Sequence, residues 1–177
     1  MTGYVALLRA VNVGGTGKLP MTELKAMCEA AGFGQVRTYI ASGNVVFDAS
    51  GDEAQVQAAL EAKLEAYAGK KVGVLVRTPA EMKAVLAGNP FPDKAPNRTV
   101  AIFLDTAPPP DALDKISGQN GEELRLGRRE IYVHYGEGMA DSKLKIPAAA
   151  AGTARNMNTI AKLAAVADDL GRSSAGA

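Results

Sequence analysis

Residues Arg37–Phe47 read RTYIASGNVVF: a β-rich run, the tripeptide Ser42-Gly43-Asn44, and a second β-rich run. Gly tolerates positive φ, while Ser and Asn side chains bond local backbone, so the tripeptide predicts a hairpin turn between strands Val36–Ala41 and Asn44–Asp48. Outward from this hairpin the pattern alternates. Upstream, Tyr4–Val11 reads as a strand and Asn12–Leu19 as a Gly-rich loop. Pro20 opens a helix carrying Leu24, Met27, Cys28 and Ala31 at helical spacing, and Gly32 ends it. Downstream, Asp52–Tyr67 reads as a helix with Val56, Leu60 and Leu64 on one face, and Lys71–Arg77 as a strand. The order β-α-β-β-α-β is that of a ferredoxin-like unit.

A short helix (Pro79–Ala87) and a Pro-rich segment follow. Then come a strand Thr99–Leu104, a helix Pro110–Ile116, strands Glu123–Leu126 and Ile131–Tyr135 around Gly127-Arg128-Arg129, and a helix Thr153–Leu170. This repeats the first five elements. The expected architecture is therefore α+β, with two ferredoxin-like halves of duplicated topology: residues 1–90, residues 97–170, and a small polar tail, 171–177, expected to be disordered.

Composition narrows the function classes. Apolar residues make up 47% of the 177, enough for a packed interior. Twenty basic residues against 19 acidic ones give a net charge of +1, which argues against an electrostatically driven nucleic-acid binder. The single cysteine, Cys28, excludes an intrachain disulfide and sits in the apolar pattern of a helix. The start of the chain lacks a signal-peptide pattern, and no apolar run approaches the ~20 residues of a membrane helix. A cytoplasmic location is expected.

Polar residues gather at element ends. The segment Asn12–Lys18, NVGGTGK, follows a strand and precedes a helix, where backbone N–H groups cradle anions. It departs from the phosphate-loop pattern, which needs Gly at position 12 and Ser or Thr at position 19 where this chain has Asn and Leu. Nucleotide hydrolysis is not expected; the segment reads either as a flexible loop with Lys18 reaching a ligand or as an ordinary connecting loop. Arg9 interrupts an apolar strand near its end, with Asn12 close by. Ser42 and Asn44 flank the turn glycine, and Ser42 has neither a nucleophile-elbow context nor an evident base. Thr153 is the expected N-cap of the last helix. Arg155 and Asn156 would then stand in its first turn, and Arg155 and Thr159 share a stripe. A cation there opposes the helix dipole unless an anion is bound. One histidine, His134, and one cysteine exclude a usual zinc site, so no metal and no cofactor is expected.

Taken in order, these segments resemble domain of unknown function family 1697, a bacterial family. The residues that carry the resemblance are Leu8–Gly15, Met21, Leu24, Gly32-Phe33, Val36–Phe47, Asn89-Pro90-Phe91, Ser142-Lys143-Leu144 and Thr153–Thr159. The resemblance runs from Tyr4 to about Leu170 and implies two ferredoxin-like halves. It implies no activity. The family pattern often has Gln where this chain has Ala41 and Trp where it has Met157.

The residues point to binding of a small anionic ligand in a cleft between the halves, lined by Arg9, Asn12, Lys18, Ser42, Asn44, Arg155, Asn156 and Thr159. No general base stands out, and whether the chain is an enzyme stays open at this level. Two alternatives follow from the same plan. One is a nucleic-acid or nucleotide-binding module on an open sheet, exposing Arg37, Tyr39, Lys71 and Arg77 together. The other is a protein-interaction or dimerisation module.

Overall fold

The structure, a computed structural model, describes residues 2–9, 19–39, 43–136 and 142–175, with backbone only for 171–175. Among the described residues, two four-stranded antiparallel sheets and four α-helices give a mixed α+β architecture with two similar halves. The first half runs β1 (Thr2–Leu8), α1 (Met21–Ala30), β2 (Gly34–Tyr39), β3 (Asn44–Ala49), α2 (Glu53–Ala68) and β4 (Val74–Arg77), in spatial order β2-β3-β1-β4. After α3 (Pro79–Ala87) the second half runs β5 (Thr99–Phe103), β6 (Glu123–Leu126), β7 (Glu130–His134), β8 (Thr153–Asn156) and α4 (Met157–Ala175), in order β6-β7-β5-β8. Replacing each strand of the first sheet by the one four later gives the second.

By its contacts the chain divides into two compact units, residues 1–82 with 162–177, and residues 83–161. The divisions fall within α3 and within α4, not in the Pro-rich segment where sequence alone placed the boundary.

In the first unit, alternation sends Tyr4, Ala6 and Leu8 of β1, Val45 and Phe47 of β3, and Val74 and Val76 of β4 to one face. There they form one core with Leu24, Met27 and Cys28 of α1 and Val56, Leu60 and Leu64 of α2. Phe47 stacks on Phe33 with centroids 4.3 Å apart. Helix α2 begins with a reciprocal capping box, Asp52 accepting from the Gln55 N–H and Gln55 from the Asp52 N–H. In the second unit the corresponding core holds Val100, Ile102 and Leu104, Leu124, and Ile131 and Val133.

Three expectations for the second half are corrected. Pro110–Ile116 does not form an α-helix; only Ala112–Lys115 winds, as a 3-10 turn. The bonds made there are of the tighter i→i+3 kind, Ala112 N–H to Pro109 O and Asp114 N–H to Asp111 O, and Ile116 is already extended, so the turn does not propagate into an α-helix. Thr153–Asn156 is strand β8, paired antiparallel with β5, and α4 starts only at Met157. That helix continues to Ala175, past the expected end at Leu170. Among the described residues, no helix is long and apolar enough to cross a membrane.

Candidate functional site

Arg9 lies at the C-terminal end of β1, where an all-buried run from Tyr4 to Leu8 gives way to an exposed cation. Two backbone bonds fix its position. The Leu8 N–H donates to Gly43 O at 2.9 Å, and the Arg9 N–H donates to Gly73 O at 2.9 Å. The end of the central strand is thereby clamped between the start of β3 and the approach to β4. Gly73 lies under the Arg9 stem, with Arg9 Cδ 3.4 Å from where a Cβ would be.

Asn44 sits at the same end, opposite Leu7 on one side and Tyr39 on the other. It is fully buried, and its Nδ2 donates to Tyr39 O at 3.1 Å. That bond joins the facing ends of β2 and β3. Asn12, Lys18 and Ser42 lie outside the described residues.

Arg155, Asn156 and Thr159 form a strand-to-helix junction in place of the expected helix first turn. Asn156, not Thr153, is the N-cap: its Oδ1 accepts from the Thr159 N–H at 2.9 Å. Arg155 is in β8, 8% exposed, and its Nη1 donates to Thr153 Oγ1 at 2.8 Å and Ala154 O at 2.9 Å. Burial disfavours its charge and pushes its pKa down to about 10. The cation that seemed to sit badly on a helix dipole therefore belongs to a sheet.

The register shows a counterpart that sequence reading missed. Arg37–Val46–Val5–Arg77 form a row across the first sheet, and Arg125–Tyr132–Ala101–Arg155 form the same row across the second. Arg77 is 1% exposed and donates to the preceding carbonyl, Val76 O, at 3.0 Å, as Arg155 does to Ala154 O. Each arginine is followed by an N-cap and a helix, Thr78 with α3 and Asn156 with α4. At Thr78 the cap is reciprocal with Glu81. The signal was present as Arg-Thr-Pro and Arg-Asn-Met, but only strand pairing aligns the two.

This burial also corrects the open-sheet expectation. Arg37 and Tyr39 share a face with Arg77, yet Arg77 is enclosed, and Val5, Leu7, Val46 and Leu75 on that face are buried as well. Lys71 precedes β4 and is not part of the sheet.

His134 Nδ1 lies 3.0 Å from Thr99 Oγ1, which itself donates to Ala95 O. The ring neighbour of His134 is Phe91, at 6.2 Å, over which Arg125 also lies. Cys28 is buried and its thiol is pushed up to about 12, so it stays protonated and inert. Among the described residues, no group of three or more His, Cys, Asp or Glu side chains could hold a metal ion.

These features define a class: α+β proteins built of two similar halves, each a four-stranded antiparallel sheet. The chain belongs to the family described as protein of unknown function (DUF1697), whose profile matches residues 1–132. A solved structure of the conserved bacterial protein SP0830 from Streptococcus pneumoniae shares the fold, with a TM-score of 0.78 and 24% identity. The match covers 94% of this chain and 98% of that one. No curated protein matches.

Proposed function

We propose that the protein binds a small anion at the end of its first sheet, with Arg9 as the cation that meets it. One observation carries this reading. The Leu8–Gly43 hydrogen bond joins two segments 35 residues apart at the point where an exposed arginine follows a strand buried from Tyr4 to Leu8. A guanidinium on such a frame loses little freedom on pairing, and its fork suits carboxylate or phosphate oxygens. Asn44 acts from below by joining the ends of β2 and β3. Arg155, Asn156 and Thr159 are spent on the junction of β8 with α4 and are not part of the binding reading.

The common strand order supports reading each half as ferredoxin-like and the chain as a duplication of one such unit. A lone buried thiol fits a cytoplasmic setting.

The test is a thermal-shift series with inorganic phosphate, pyrophosphate and citrate on wild type, Arg9→Ala, Arg9→Lys and Lys71→Ala. Binding to the native state raises the melting temperature by linkage. Loss of a charge-assisted bond worth about 1.5–3 kcal/mol should weaken binding roughly 10- to 100-fold in Arg9→Ala. Arg9→Lys should retain part of it, and Lys71→Ala nearly all. No shift with any of the three anions, or an equal shift in Arg9→Ala, would sink the reading.

A further inference from the structure

Between β5 and β6 the chain reads Ser117-Gly118-Gln119-Asn120-Gly121-Glu122. Asn120 is the only asparagine in the sequence that a glycine follows. In such a pair the glycine nitrogen can reach the asparagine side-chain carbonyl, because the following residue has no Cβ to shield it. Three local features leave this pair open to that chemistry. Asn120 and Gly121 are both exposed. Around the place where a Gly121 Cβ would stand, nothing outside its chain neighbours comes within 4 Å. Among the described residues, none accepts a hydrogen bond from the Gly121 N–H, so this nitrogen has no such bond to give up before it reacts.

The residues on either side are held. The Asn120 N–H donates to Glu122 Oε1, and Gln119 Nε2 donates to Glu122 O at 2.6 Å. Glu122 is 5% exposed, and its other carboxylate oxygen accepts from Ser142 Oγ at 2.5 Å. Glu122 thus ties this turn to the segment before β8. Both local bonds close rings that run through the Asn120–Gly121 peptide link.

We propose that Asn120-Gly121 is a self-modification site at which the chain deamidates, and that this loosens residues 117–122 from residues 142–146. The Gly121 nitrogen loses its proton to solvent and attacks Asn120 Cγ. A bond from that nitrogen to Cγ forms and the bond from Cγ to Nδ2 breaks. Nδ2 takes a proton from water and leaves as ammonia. Water then opens the cyclic imide at either carbonyl, giving aspartate or isoaspartate. The net change is amide plus water to carboxylate plus ammonium. Both products place a negative charge two residues from the Glu122 carboxylate, and like charges repel. Isoaspartate also inserts a backbone carbon into the two rings that hold Glu122.

The test is ageing of the full chain at mildly alkaline pH, followed by mass spectrometry of its proteolytic peptides. Asn97 and Asn158 serve as internal controls, because both are exposed and are followed by Arg98 and Thr159. Asn120 should convert roughly tenfold faster than either, since only its neighbour lacks a side chain. The aged chain, separated by its added charge, should melt below fresh protein. Asn120→Asp, which carries the charge on a normal backbone, should melt between the two. Asn120→Gln, aged in parallel, should keep its melting temperature. Conversion at the rate of the controls, conversion confined to urea-unfolded chain, or an aged chain that melts with fresh protein would overturn the proposal. A fall in aged Asn120→Gln would place the damage elsewhere and overturn it as well.

Discussion

The two halves hang different things on the same strands. In the first, α1 and α2 cover the core side of the sheet and bury a full helical face each, with Leu24, Met27 and Cys28 from one and Val56, Leu60 and Leu64 from the other. In the second, the equivalent positions hold short 3-10 turns at Ala112–Lys115 and Pro147–Ala149, and the cover is made by single residues such as Leu113, Ile116, Leu144 and Ile146. Strand order, register and the strand-end hydrogen bond, Leu8 to Gly43 and Leu104 to Arg129, nevertheless agree. The sheet is the element that specifies this fold, and helices are one of two ways to keep it dry. Freed from helices, the second half carries a loop-walled groove, while the first presents an exposed arginine at its strand end.

The difference in cover sets the largest expected effect. Phe47 is fully buried between Phe33 and Tyr4, with centroids at 4.3 and 6.3 Å. By register its counterpart is Val133, also fully buried. Phe47→Ala should cost about 3–5 kcal/mol through lost transfer energy and the cavity left behind. Val133→Ala should cost about 2 kcal/mol, set mainly by the smaller area it buries. Urea unfolding measures both. Equal losses would mean that the loop-covered half packs as tightly as the helical one.

A smaller effect tests whether the halves are equivalent where they look alike. Arg77→Ala and Arg155→Ala each remove a buried guanidinium that bonds its own strand, and each should destabilise by about 2–3 kcal/mol. Methionine at either position should cost less, because an apolar side chain of similar length fills the space without a buried charge. The two sites should rank the substitutions identically in denaturant titrations. A neutral Arg155→Ala beside a damaging Arg77→Ala would break the comparison at this row.

What could be read beforehand follows local signal rather than that division. Pro79–Ala87 and, in the second half, Glu123–Leu126 match the expected elements residue for residue, β5 and β7 match within one residue and the first-half elements within a few, because hydrophobic periodicity and cap residues announce themselves locally. Strand β8 was illegible for a physical reason. It is four residues long, carries a buried arginine, and runs straight into a helix, so Thr153 looked like a cap when the cap is Asn156. Arg9 was legible as a cation at a strand end. The partnership of Arg155 with Arg77, and of Arg129 with Asp105 O in the loop after β5, depends on cross-strand register. Sequence pattern does not carry that across 78 or 24 residues.

The finest test concerns what replaces a helix in the second half. Glu122 is held by the Ser142 hydroxyl at 2.5 Å and by the Asn120 N–H, and Gln119 Nε2 donates to its carbonyl at 2.6 Å. Beside them, Ser117 and Lys145 exchange backbone bonds of 3.0 and 2.8 Å, and Gly118 passes so close to the Lys143 carbonyl that no Cβ fits. Residues 117–122, between β5 and β6, and 142–146, between β7 and β8, are thus laced together where the first half has α1 and α2. The Ser142 hydroxyl, then the backbone bonds, hold the Glu122 carboxyl below its usual range. The folded state therefore binds this proton less readily than the unfolded chain. Its contribution is complete above the ordinary carboxylate range and is lost as pH falls through the folded value. Ser142→Ala removes the largest cause. Wild type should be the more stable at neutral pH, and the two stability curves should converge on acidification. Parallel curves at every pH would show that the lacing does not depend on the Glu122 charge, and that the loops are held by backbone alone.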